Sequence, residues 1–172
     1  LSAGGVGSPD SFNATLRDSA TRYPIGVIGE LNGSARATTI DRQVLEDAGV
    51  TVHLLNDTPG QIVHRIVPEG ASLDLCRETL EKMHTSQPAY SIGYVPDNDG
   101  DRGNLVYVGR DGTARTLQAQ AVFALSCLSE LAFLSYLRSK KGLSQTLDDT
   151  VVVANGPTSM RVDRIAEFFG AR

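Results

Sequence analysis

The sequence predicts an α/β fold, a small mixed β-sheet flanked by helices, with a separate strand-helix unit at its C-terminal end. Three observations carry that prediction. Between residues 25 and 95, short apolar runs of strand character alternate with segments of helical period, the order that favours a parallel βαβ unit. Two apolar strand runs bracket an acidic loop at residues 97–102. Finally, Thr150–Ala154 and Ser159–Phe169 read as one more strand and helix, which alone cannot bury both faces and so look like the opening of another domain.

Taken in order, Leu1–Ser8 reads as a Gly-rich linker or cut end, and Ser11–Thr21 as a short amphipathic lead-in helix. Ile25–Gly29 is a strand between Pro24 and the Asn32-Gly33 turn. Ala35–Ala48 sets Ile40, Val44, Leu45 and Ala48 at helical spacing and stops at Gly49. Thr51–Leu55 is β-rich and ends at the turn Asn56-Asp57-Thr58-Pro59-Gly60. His64–Gly70 is an ordered loop, and Ser72 is placed to cap a helix carrying Leu73, Cys76, Leu80 and Met83. Ala89–Val95 and Asn104–Val108 are strands on either side of the acidic loop, and Leu117–Lys140 is a long apolar helix.

Composition narrows the function classes. The 172 residues suit one domain with an appendage; 41% are hydrophobic, 21% are charged, and the formal net charge is −4. Lys and Arg are scattered and Trp is absent, so neither a nucleic-acid footprint nor a stacking platform is indicated. Cys76 and Cys127 lack metal or redox spacing and are read as two buried thiols in a reducing compartment. Ala121–Leu137 just reaches membrane-spanning length, but Glu130 and three serines inside it favour a buried core helix.

The chemistry concentrates in Asp97-Asn98-Asp99-Gly100-Asp101-Arg102. At about 5 Å spacing and an effective dielectric near 20, each pair of these carboxylates repels by roughly 3 kcal/mol. All-oxygen ligands point to a hard divalent cation, and the Arg102 guanidinium suits a phosphate beside it. A solvated turn is the bland alternative, since Asn, Asp and Gly are turn residues. An EF-hand calcium loop, or a non-catalytic calcium-binding or interaction module, is the rival. Against the EF-hand stand Arg102 where Gly is required, Val108 where Glu is required, and strands where helices are required.

Other candidates are weaker. Gly26, Gly29 and Gly33 make no dinucleotide fingerprint, and Gly4-Gly5-Val6-Gly7 has no following Lys for a P-loop. Asn32-Gly33-Ser34 at a helix start offers backbone N–H groups to an anion. His53, His64 and His84 are not paired at metal spacing, and His64 reads as a hydrogen-bonded structural residue. Ser159 is a helix cap, and no nucleophile elbow occurs.

Tyr94–Val106 resembles the metal-binding loop of the α-D-phosphohexomutases, the phosphoglucomutase and phosphomannomutase superfamily, whose D-x-D-G-D-R pattern is matched at Asp97, Asp99, Gly100, Asp101 and Arg102. Leu31-Asn32-Gly33 resembles the turn after the first strand of that family's second domain, and His64–Glu69 its connection before the metal loop. Val151–Gly170, with Thr158-Ser159, is similar to the opening of the third domain, so the resemblance covers residues 22 to 172.

The resemblance implies a phosphohexomutase second domain at residues 22–145 and the beginning of a third at 146–172, after a linker and lead-in at 1–21. It implies Mg²⁺ held by Asp97, Asp99 and Asp101 together with a phosphoserine, and Arg102 steadying that phosphoserine or the phosphosugar. The implied reaction interconverts hexose 1-phosphate and 6-phosphate through a hexose 1,6-bisphosphate, in the cytoplasm, with no nucleic acid or membrane involved. The family's T-x-S-H-N-P serine loop is expected upstream of Leu1, and the sugar loop and phosphate loop of domains III and IV are not matched. These residues alone are therefore expected to be inactive and to hold metal weakly.

Overall fold

A computed structural model describes residues 9–38, 40–156 and 158–172; the expected linker Leu1–Ser8 lies outside them. Packing divides the chain into a unit ending at Gln118 and a second, Ala119–Arg172. The long apolar helix belongs to the second of these units.

The first unit runs α1 (Pro9–Arg22), β1 (Gly26–Glu30), α2 (Asp41–Asp47), β2 (Thr51–Leu55), α3 (Asp74–Ser86), β3 (Tyr90–Pro96), β4 (Gly103–Val108) and β5 (Ala114–Leu117). Its sheet is five-stranded, in the order β2-β1-β3-β4-β5. β1 pairs in parallel with β2 and β3, whereas β3–β4 and β4–β5 are antiparallel, so the sheet is mixed as predicted. Burial follows strand position. All five residues of β1 are buried between two neighbours, while the edge strand β2 exposes alternate residues. α3 packs Cys76 and Leu80, with Leu73 just ahead of it, against Ile28, Tyr90, Val95 and Val106 of the sheet to form the core. Burial above all, and the charge of Glu30 next, push the Cys76 thiol up to about 12. It is an inert core group.

Several expectations are corrected. The helix expected over Ala35–Ala48 is instead a 3₁₀ turn, Ala35–Thr38, followed by α2. Ile40 and Val44, two positions of the proposed apolar face, are exposed, so little burial favours one continuous helix. Ser72 lies in a second 3₁₀ turn, Gly70–Leu73, and α3 starts at Asp74 without a side-chain cap. β5 escaped the sequence reading because four residues containing Arg115 and Thr116 give too short an alternation; pairing with β4 creates it.

In the second unit, α4 (Ala119–Lys140) packs with α5 (Arg161–Phe169) around Leu131, Leu147, Ala166 and Ala171. α4 is long and apolar enough to cross a membrane by length and composition. It is not the buried core helix expected: among the described residues it buries Ala124, Leu131 and Ser135, and Cys127 is only partly covered. Apolar residues surround the helix on all sides, and the nine residues of α5 cover one of them. The expected strand Thr150–Ala154 is extended chain tied to Arg172 by two backbone bonds, with Val151 and Val153 exposed. It has no strand neighbour among the described residues. Met160 rather than Ser159 occupies the N-cap of α5, although the Ser159 hydroxyl accepts the Arg161 N–H at 3.3 Å. Met160 and Phe168 are exposed.

Where α3 meets the sheet, Gly93 leaves no spare room. A β-carbon there would stand 2.6 Å from Cys76 Sγ and 3.5 Å from Val106 Cβ. Gly93→Ala is expected to cost about 1–3 kcal/mol by overpacking. The cost should shrink markedly in a Cys76→Ala background, as a double-mutant cycle of urea unfolding would read.

Candidate metal centre

β1 and β3 lie side by side in parallel, yet the chain leaves β1 towards β2 and leaves β3 towards β4, on opposite sides. Such a switch of direction opens a crevice beyond the carboxyl ends of the two strands. The acidic loop is the turn between β3 and β4, so it sits at that crevice.

Asp97 builds the turn. It is only 2% exposed. Its backbone N–H donates to the Arg102 carbonyl at 3.2 Å, and its Oδ1 accepts the N–H groups of Gly100 and Arg102, each at 3.1 Å. The Arg102 guanidinium donates to Oδ2 at 2.6 Å. Gly100 takes φ +80°, a conformation that disfavours a side chain. Burial pushes the Asp97 carboxyl up, but the Arg102 backbone N–H, its guanidinium bond and its charge outweigh that and hold it below the ordinary 3.8. The neighbouring charge of Asp99, and then slight desolvation and the charge of Asp97, push Asp101 above 3.8, against the pull of Arg102.

One carboxylate oxygen from each of Asp97, Asp99 and Asp101 lies within 4.8 Å of the others, and Asp99 and Asp101 are exposed. Oxygens opposite each other across Mg²⁺ stand about 4.2 Å apart, and across Ca²⁺ nearly 5 Å. Of three oxygens on one ion at most one pair can lie opposite, so the others would draw in to about 3 Å of each other around Mg²⁺, a movement that falls to the exposed Asp99 and Asp101 side chains. The side-chain oxygen of Asn98, in the same loop, is buried with no hydrogen-bond partner among the described residues. The flanks are strands, so an EF-hand geometry is absent. An open depression of about 390 Å³ is lined by Ile66, Val67, Asp97, Asn98, Asp99 and Arg102.

The wall containing Ile66 and Val67 is held by a polar knot that the sequence reading missed. Glu30, fully buried at the end of β1, accepts from the Asn56 side chain at 2.7 Å and the Asn32 N–H at 3.1 Å. It meets His64 Nε2 at 2.6 Å, while His64 Nδ1 faces the Arg65 carbonyl at 2.8 Å. The Asn32 carboxamide accepts from the N–H groups of Val63 and His64 and donates to the His64 carbonyl. Gly33, at φ +61°, lets the Gln61 backbone cross where a β-carbon would stand 2.6 Å away. The signal available was a charged residue closing a wholly apolar strand.

His64 is hydrogen-bonded as expected; His84 meets the Tyr90 carbonyl at 2.8 Å, and His53 is exposed on β2. The proposed anion nest at Asn32-Gly33-Ser34 does not form. Those three N–H groups donate to Glu30, to the Asn56 carbonyl and to the Leu31 carbonyl.

No family model matches the chain, and no curated protein does. Among solved structures, it is similar to N-acetylphosphoglucosamine mutase of Aspergillus fumigatus, at 14% identity and a TM-score of 0.48, over 92% of this chain and 29% of that one. A serine-to-alanine variant of that enzyme with glucose 1,6-bisphosphate matches at 16% identity and a TM-score of 0.49, over 92% of this chain and 30% of that one. The chain thus spans less than a third of the length of either.

The Asp97 bonds generate a stability prediction. A carboxyl whose folded value is depressed contributes stability above its unfolded value of 3.8 and loses it as pH falls through the lower folded value. Asp97→Asn should cost about 1–3 kcal/mol at neutral pH, the scale of hydrogen bonds to a charged group. The gap from the parent should narrow as chemical denaturation is repeated from neutrality down to below pH 3.8.

Proposed function

We propose that the Asp97–Arg102 loop is the Mg²⁺ loop of a phosphohexose mutase, in which residues 22–145 serve as the second domain and 146–172 open the third. The observation that carries this reading is the convergence of three aspartate oxygens within 4.8 Å in a sequence matching D-x-D-G-D-R. Asp97, Asp99 and Asp101 would hold the ion. When bound, it would polarise a phosphoryl oxygen and neutralise its charge.

The chain's own residues have separable tasks in this reading. Asp99 and Asp101 offer exposed oxygens towards an incoming group, while Asp97 fixes the turn from inside. Arg102, more than half exposed and anchored through Nε, carries a positive charge at the rim of the depression, suited to a phosphate. Ile66 and Val67 form an apolar wall that limits water on one side. The phosphoserine, the sugar-reading loop and the final phosphate loop belong, in this reading, to parts of the protein beyond these residues. Hexose phosphate and hexose 1,6-bisphosphate are the proposed partners, in the cytoplasm.

The test is a coupled assay on the intact gene product with Mg²⁺ and a trace of sugar bisphosphate. Glucose 1-phosphate, mannose 1-phosphate and N-acetylglucosamine 6-phosphate would be offered in turn. Turnover with at least one of them is expected, falling about 100-fold or more in Asp99→Asn, the scale of a lost electrostatic stabiliser. A folded full-length protein inactive on all three would count against the mutase reading.

A further inference from the structure

Beneath the acidic loop lies a second set of charges that the proposed chemistry does not use. The Ala35 N–H, at the start of the first 3₁₀ turn, donates to the Asn98 carbonyl at 3.0 Å. The next residue, Arg36, runs its stem under Gly100, so closely that a β-carbon on Gly100 would stand 2.7 Å from Arg36 Cδ and 3.0 Å from Cγ. Its guanidinium grips Asp41 in a fork, Nη2 to Oδ1 at 2.6 Å and Nε to Oδ2 at 3.1 Å. Asp41 is only 8% exposed and also accepts the Tyr94 hydroxyl at 3.0 Å. Tyr94 reaches it by laying its ring over Gly29, where a β-carbon would stand 2.7 Å from the ring and the hydroxyl.

We infer that Arg36, Asp41 and Tyr94 form a clamp that sets the height and curvature of the Asp97–Asp101 turn, making Arg36 a positioning residue for the cation site. The inference rests on the proposed metal reading of that loop. A bidentate guanidinium–carboxylate pair fixes the Arg36 stem more firmly than a lone ammonium does. With the turn tied through its Asn98 carbonyl to the Ala35 N–H and its apex resting on Arg36, the turn has little freedom to splay its like charges apart. The clamp therefore opposes the relaxation that carboxylate repulsion would otherwise drive, and it keeps the three oxygens gathered.

Sign separates this role from a simple charge effect. Removing Arg36 deletes a cation near the site and leaves the Asp41 carboxylate behind, so electrostatics alone predicts tighter binding of a divalent cation. Positioning predicts weaker binding.

The experiment measures Mn²⁺ binding to the full chain by electron paramagnetic resonance, for the parent, Arg36→Ala, Arg36→Lys and Tyr94→Phe. Amide hydrogen exchange at Gly100 and Arg102 is followed in each, with Gly109 as a reference turn. Arg36→Ala is expected to weaken Mn²⁺ about tenfold, the scale of lost support behind metal ligands, with Arg36→Lys recovering part of it. Exchange should quicken at Gly100 and Arg102 and not at Gly109. Unchanged or tighter Mn²⁺ binding in a folded Arg36→Ala chain overturns the clamp. If Arg36→Ala does not fold, Tyr94→Phe decides by the same criteria, since it removes only the hydroxyl bond to Asp41. If the parent binds no Mn²⁺, the metal reading fails on its own, and exchange decides the clamp: quickening confined to the acidic loop upholds it, and unaltered exchange overturns it.

Discussion

The structure around the crevice is organised by one electrostatic constraint: three carboxylates share a six-residue turn. Repulsion of roughly 3 kcal/mol per pair at such spacings has to be met by compensating contacts. Asp97 meets it from inside, spending both oxygens on the N–H groups and guanidinium of its own turn. Asp99 and Asp101 are left outside with their charge only partly balanced, and the rise in Asp101 registers that imbalance. A divalent cation would relieve it.

Topology explains why the turn is where it is. The switch of direction between β1 and β3 places Glu30 and the acidic turn at neighbouring strand ends. Glu30 gathers the turns at Asn32 and Asn56 with the His64 loop, and Ile66 and Val67 of the same loop face the acidic turn. From below, Arg36 and Asp41 brace Gly100. Two glycines in the sheet make these contacts possible by absence of side chain: Gly29 admits the Tyr94 ring, and Gly93 admits Cys76.

Much of this was legible in the sequence. β1, β2, β3 and β4 announced themselves because buried strands need apolar runs and punctuating turns. The acidic loop was legible because three alternating Asp closed by Arg is an expensive pattern to keep without a purpose. Elements resting on little burial were misjudged. The apolar positions Ile40 and Val44 suggested a longer helix than their exposure sustains, and β5 exists only through pairing with β4. The supporting polar residues were invisible for a different reason. Glu30 to His64, and Asp41 to Tyr94, are separated by 34 and 53 residues, so no local pattern marks them. Taken singly, Glu30, Arg36 and Asp41 read as surface charges. Packing alone reveals that Glu30 and Asp41 are buried.

The most direct test of the central claim is anomalous diffraction from crystals of this chain soaked in Mn²⁺. An anomalous peak is expected about 2.2 Å from one oxygen each of Asp97, Asp99 and Asp101. Density for Arg102 should still lie against Asp97 or turn towards the mouth of the depression. A well-ordered acidic turn with no anomalous peak, or a peak confined to other carboxylates, would contradict the reading of this turn as a metal centre.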